Sequence, residues 1–369
     1  LFKRAGARYA VLTAKHHDGV ALFDTQYSDL SVVKKTPAGR DLIAPYTEAM
    51  REAGLKVGIY FSLIDWSDPR YRSVYPEGEK PEDHLKDVFA TPAGGPEDPE
   101  KWEEFLQFNN NQLRELMTNY GTVDLLWFDG DWERSANQWK CPEFRAYLHS
   151  LNPNVIINSR LQGYGDYETP EQGIPLYGPK GVWEFCTTIN TSWGYRPSDN
   201  DYKTSRMIVR MFCDCLTLGG NMLLDVGPKE DGTLDPRQVK ILEDLGDWIH
   251  DNEEAVYDTG KGLDYRHFLG GSTLSEDRRT IYLFVYDKPS EYICLKGIKT
   301  PVKRVSVLHT GEELPFRYTG ALPWSGIPGT LWIKGDEMTP HPMVTVLKVE
   351  LDGEITYNLG HGEVVTNND

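Results

Sequence analysis

Through residue 257 the chain alternates short apolar, β-rich runs with longer stretches whose apolar residues recur at helical spacing. The runs Tyr9–Ala14, Val57–Ser62, Val123–Phe128, Val155–Asn158 and Met222–Val226, with a shorter Val182–Phe185, predict strands buried on both faces. Between them, Asp41–Ala53 sets Leu42, Ile43, Tyr46, Ala49 and Met50 on one face and stops at Gly54. Glu100–Tyr120 ends at Gly121, Thr204–Leu218 ends at Gly219, and Arg237–Asp251 follows Pro236 at a helix start. Strand alternating with helix predicts a parallel sheet.

Polar residues gather just past the strand ends: Lys15, His16, His17 and Asp18 after the first, Asp65 and Trp66 after the second, Asp129 after the third, Arg160 after the fourth. A (β/α)₈ (TIM) barrel draws its site from that face, one residue at a time from many strands. About six strands are legible where eight are needed. The opening LFKRAG reads as a last helical turn capped by Gly6, so a preceding stretch carrying two βα units is expected outside this sequence. From about residue 258 to 369 the texture changes. Thr280–Tyr286, Tyr292–Leu295, Val302–Leu308 and Val344–Val349 alternate with Gly, Pro and Asp turns, which predicts an all-β sandwich. The expected organisation is a (β/α)₈-like barrel over 1–257, lacking its N-terminal βα units, then a β-sandwich over 258–369. The loop Asp65–Pro99, rich in Pro, Gly and charge, sits where a barrel keeps a lid.

Composition trims the alternatives. Acidic residues exceed basic ones by 56 to 39 with no Lys/Arg stripe, which excludes a phosphate-backbone reader and disfavours anionic membrane surfaces. No apolar run approaches the length of a membrane helix, so no membrane insertion is expected. Five cysteines without CxxC or Cys/His spacing argue against a disulfide framework and a structural zinc site. No GxGxxG or GxxxxGK[ST] follows a strand, so no nucleotide cofactor is called for. The 10 Trp, 20 Tyr and 13 Phe suit both a core and flat, sugar-like ligands. Oligomeric state has no signature here.

Asp129 closes the run LLWFDG, which places an acid, half desolvated, at the mouth of the sheet. Such a carboxylate serves as nucleophile, base or metal ligand, or merely caps the next turn. His16, His17 and Lys15 supply donors for hydroxyl groups, although adjacent extended residues point to opposite sides. Glu171 in DYETPEQ, Glu184 after Trp183, and Glu168 are candidates for a proton donor. A nucleophilic Asp with an acid Glu from another loop is the layout of retaining glycoside hydrolysis.

The motifs AKHHDG, GIYFS-x-x-DW, LLWFDG, NSR, TPE, WEF, TINTSWGY and GGNMLLDVGPKEDGTL follow one another in this order. In that order they resemble the α-L-fucosidases of glycoside hydrolase family 29. The resemblance implies a barrel followed by a β-sandwich, and a two-step retaining release of terminal α-L-fucose from fucosylated oligosaccharides or glycoconjugates without cofactor or metal. It places the nucleophile on Asp129 and the acid/base on Glu171, with Glu184 in reserve. Sugar contacts fall on His16, His17, Tyr60, Arg160 and Trp193. The family's N-terminal strand, with its His-Trp-Gly, has no counterpart. An extracellular, periplasmic or lysosome-like setting is the corresponding expectation. Two rivals from other classes are a catalytically inactive carbohydrate-binding barrel and a metal-dependent hydrolase.

Overall fold

The computed structural model describes residues 1–78 and 96–359. Residues 79–95 of the lid expected over Asp65–Pro99 therefore lie outside the described residues. Contacts divide the chain into two compact units, one of Phe2 and Ala7–Thr169, the other of Leu1, Lys3–Gly6 and everything from Pro170 onward.

In the first unit, β1 (Tyr9–Lys15), β2 (Lys56–Ser62), β3 (Leu125–Asp129) and β4 (Ile156–Ile157) form one parallel sheet in that order. Parallel pairing sends all four C-terminal ends to the same edge. Gly58 permits the close approach of β1 and β2, since a Cβ there would lie 2.7 Å from the Val11 side chain. The helix Pro99–Asn119 starts at an Asp98 cap with proline at its first position. It buries Trp102, Phe105, Phe108, Leu113 and Leu116, a stripe at helical spacing. A further helix, Cys141–Leu151, was not in the expected set. It buries only Cys141, Phe144 and Leu148 among charged neighbours, which is too sparse a stripe to read from periodicity.

In the second unit, β5 (Glu184–Thr188) and β6 (Asn221–Asp225) form a two-stranded parallel sheet across the helix Ser205–Thr217. After the helix Pro236–Asp251 the chain becomes antiparallel. Strands β7 (Thr259–Lys261), β8 (Gly271–Ser275), β9 (Thr280–Val285), β11 (Val302–Val307) and β14 (Thr345–Leu351) make a five-stranded sheet ordered β11-β14-β9-β8-β7. Strands β10 (Tyr292–Lys296), β12 (Phe316–Thr319) and β13 (Thr330–Lys334) make a three-stranded one ordered β10-β13-β12. The two share one apolar core, in which Ile281, Leu283 and Val349 meet Ile293, Leu295 and Ile333.

The change of texture at residue 257 falls inside this second unit rather than at its border. Two helices that precede the change are tied to chain that follows it: Trp248 Nε1 donates to Val344 O at 2.8 Å, and Ser272 N donates to Thr217 Oγ1 at 2.9 Å. The opening residues close as a helical turn, with Ala5 N donating to Leu1 O at 2.9 Å, Gly6 N to Lys3 O and Ala7 N to Phe2 O at 3.1 Å, and Gly6 at φ +85°. Among the described residues the parallel strands occur as sheets of four and two, and β1 lies at the end of its sheet with β2 as its strand neighbour.

Candidate active site

Three strand ends of the first unit converge on Asp129. It is the last residue of β3 and only 9% exposed. Its backbone is held from both sides. The Asn158 amide bonds both N and O of Phe128 at 2.9 Å, and Leu63 N donates to Asp129 O at 2.8 Å. Gly130 follows at φ +82°, a conformation that lets the chain turn away immediately after the acid.

The carboxylate is clamped. Tyr60 OH donates to Oδ2 at 2.8 Å, and Arg160 Nη1 donates to Oδ1 at 2.8 Å. Arg160 Nε is itself anchored on Thr169 Oγ1 at 3.1 Å. The same side chains form a stack. The His16 ring lies 5.5 Å from that of Tyr60, Tyr60 lies 5.5 Å from Trp127, and the Arg160 guanidinium sits 4.4 Å over Trp127.

Both histidines reach the site. A register shift between Thr13 and Lys15 ends β1 irregularly, so the two rings come within 4.2 Å of one another instead of pointing apart. His17 Nδ1 is 2.6 Å from Ser62 Oγ, and Ser62 Oγ donates to Ile64 O at 2.7 Å. The one hydroxyl proton is thereby committed, so Nδ1 carries the imidazole proton and Nε2 presents its lone pair. That lone pair faces Asp129 Oδ2 across 3.7 Å. Burial, then the neighbouring His16, hold the His17 pKa below its ordinary value, against the pull of Asp129. Asp131, just behind, is pushed up chiefly by burial, with the charge of Asp129 adding to it. A ring nitrogen of each histidine and a carboxylate oxygen of Asp129 all lie within 4.8 Å, close enough to share a metal ion.

Lys15 is the exception to the expected set. Its side chain is 0% exposed, with Nζ 3.1 Å from Asn109 Oδ1 and 3.4 Å from Asp65 Oδ2, over the rings of Phe61 and Phe108. It braces the loop beneath the site and offers nothing to a ligand. Conversely, Trp132 and Ser62 were missed. Trp132 is 59% exposed and meets the His17 ring edge-on at 5.7 Å. The DGDW run after a strand end was its only signal.

Glu171, Glu184 and Trp193 belong to the second unit. Glu171 is exposed, and its segment bridges to Cys186 of β5. Glu184 is buried at the first residue of β5, in register with Asn221. Trp193, 43% exposed, follows β5 in a loop. Asp225 ends β6 opposite Thr188, and its Oδ2 is buried without a hydrogen-bond partner. Burial pushes its pKa up to about 7 from an ordinary 3.8. A folded pKa above the unfolded one stabilises below the unfolded value, and that contribution is lost as pH rises through the folded one. Asp225→Asn is therefore expected to match the parent near pH 4 and to exceed it by roughly 2–4 kcal/mol at pH 8, read from urea midpoints. Equal midpoints at both pH values would remove the buried charge from the account.

Residues 1–254 match the family described as Alpha-L-fucosidase. The chain is 29% identical over 307 residues to an α-L-fucosidase of Dictyostelium discoideum, covering 80% of this chain and 62% of that one. It is 32% identical to the tissue α-L-fucosidase of Rattus norvegicus, over 70% of this chain and 54% of that one. The chain thus spans somewhat more than half the length of these relatives. Among solved structures, α-L-fucosidase isoenzyme 1 from Paenibacillus thiaminolyticus superposes with a TM-score of 0.80 at 33% identity, over 95% of this chain and 84% of that one. A family 29 α-L-fucosidase from Bacteroides thetaiotaomicron, trapped as a covalent intermediate with 2-fluoro-fucosyl fluoride, gives 0.79 at 28% identity, over 95% and 80%.

Proposed function

The chain belongs to the α-L-fucosidase family, and on that premise we propose that it is a retaining exo-glycosidase releasing terminal α-linked L-fucose from fucosylated oligosaccharides or glycoconjugates. The observation that carries this reading is the clamped carboxylate of Asp129 at a strand end, flanked by an imidazole acceptor. In this reading residues 1–257 belong to a (β/α)₈-like barrel, and the antiparallel sheets over 258–369 are a separate sandwich domain.

Asp129 attacks the anomeric carbon while Glu171 protonates the departing oxygen; Glu171 then deprotonates the water that releases fucose from the Asp129 ester. Tyr60 and Arg160 orient the two Asp129 oxygens for attack, and they hold the same oxygens when the ester reverts. The lone pair of His17 Nε2 accepts a sugar hydroxyl, and Ser62 fixes that tautomer. His16 is exposed beside it for a second hydroxyl. Trp193 offers an apolar wall to the C–H face and methyl of the sugar. Glu171 is preferred over Glu184 because an acid that becomes a base must exchange protons with water, and Glu171 is the exposed one.

An aryl α-L-fucoside is the test substrate. Proton NMR of the first product should show the α-anomer of fucose before mutarotation. The β-anomer first would end the retaining mechanism, and no turnover at all would favour an inactive sugar-binding barrel. The cluster of His16, His17 and Asp129 supports one further rival, a metal-dependent hydrolase. That rival requires activity to vanish on exhaustive chelation, whereas the glycosidase reading requires it to persist.

A further inference from the structure

We infer that His16, His17 and Asp129 bind a borderline divalent transition cation of the zinc type, which occupies the sugar position and inhibits the enzyme reversibly. The inference rests on the glycosidase reading for the inhibition, but not for the binding. Two acceptors facing one another, His17 Nε2 and Asp129 Oδ2 at 3.7 Å, repel unless a donor or a cation lies between them. Two imidazoles and a carboxylate are a common ligand set for zinc, with room left for water. Tetrahedral bonds of about 2.0–2.1 Å place ligand atoms about 3.3 Å apart. The three donor atoms here already lie within 4.8 Å, and a small rotation of the exposed His16 ring would close the difference.

The outer contacts suit an ion as well. His17 donates its other ring proton to Ser62 Oγ, which in turn bonds the Ile64 carbonyl, so the ligating nitrogen is preset. Tyr60 orients Oδ2. Arg160 on Oδ1 opposes a second cation. It is answered by the negative charges of Glu133 and Asp18 near His17. A bound ion covers both the attacking oxygen and the hydroxyl acceptor. Inhibition is therefore competitive with fucose.

Zinc chloride titrated calorimetrically into chelator-stripped protein is expected to show one ion bound per chain. His16→Ala, at an exposed position that leaves the fold alone, and His17→Ala and Asp129→Asn should each weaken binding at least tenfold. Glu171→Ala should bind as the parent does. Free L-fucose should raise the apparent Kd for zinc, and zinc should raise the KM for an aryl fucoside without lowering kcat, with chelator restoring the rate. Unchanged affinity in His16→Ala and Asp129→Asn overturns the site. Loss of zinc in those variants without competition from fucose overturns the shared position. If zinc binds these ligands but no fucoside is hydrolysed, the glycosidase reading fails and the ion site stands.

Discussion

Replacing Asp129 by glycine is expected to lower turnover of an aryl α-L-fucoside by roughly 10³–10⁵-fold, which corresponds to about 4–7 kcal/mol of transition-state stabilisation. In the proposed mechanism the substitution removes the attacking oxygen, and it leaves Arg160 and Tyr60 without their shared acceptor. The fold should persist, because the end of β3 is held through the backbone of Phe128 and Asp129, by Asn158 and Leu63, whatever the side chain. Circular dichroism and thermal unfolding check that condition. Azide, a small anion matched to the vacated space beside Arg160, should recover part of the rate and yield fucosyl azide of inverted configuration. Turnover near the parental rate would falsify the nucleophile assignment.

Glu171→Ala should separate two substrates that Asp129 variants treat alike. General acid catalysis contributes roughly 10²–10⁴-fold, and it is needed most when the leaving oxygen is a poor one. Hydrolysis of a fucosyl oligosaccharide, with a sugar alcohol as leaving group, should fall by about that factor. The first step on an activated aryl fucoside should be nearly spared, with a burst of phenolate followed by slow release of fucose from the ester. Azide should accelerate the slow step and give fucosyl azide of retained configuration, because it replaces water at an intermediate already inverted once. The same pair of substrates run on Glu184→Ala provides the control. Should that variant show the leaving-group dependence while Glu171→Ala behaves as the parent, the acid/base role passes to Glu184.

The alternation of β-rich runs and helical stripes was enough to place β1, β2, β3, β5 and β6, with four of the helices, to within a few residues. It placed Asp129, Tyr60, Arg160 and the histidine pair on or just past strands, because parallel pairing sends every C-terminal end to one edge and the sequence marks that edge with polar residues. The helix Cys141–Leu151 escaped, since three buried residues among charges leave too faint a period. The change of texture at residue 257 is legible in the sequence, whereas the bonds of Trp248 and Thr217 across it, and the contact boundary at Pro170, belong to the folded chain.

Position in the chain could not separate Lys15 from His16 and His17, which are consecutive. Packing did. The Lys15 side chain turned inward to Asp65 and Asn109, and a register shift at the end of β1 turned both imidazoles toward Asp129. The periodic pattern is a property of each segment by itself, set by which face must leave water, and it survives without knowledge of any neighbour. The chemistry depends on contacts between segments distant in the chain. The nitrogen that His17 offers to Asp129 is decided by a single hydroxyl proton on Ser62 of the adjacent strand, already given to the Ile64 carbonyl, and only the folded arrangement brings those four groups within reach of one another.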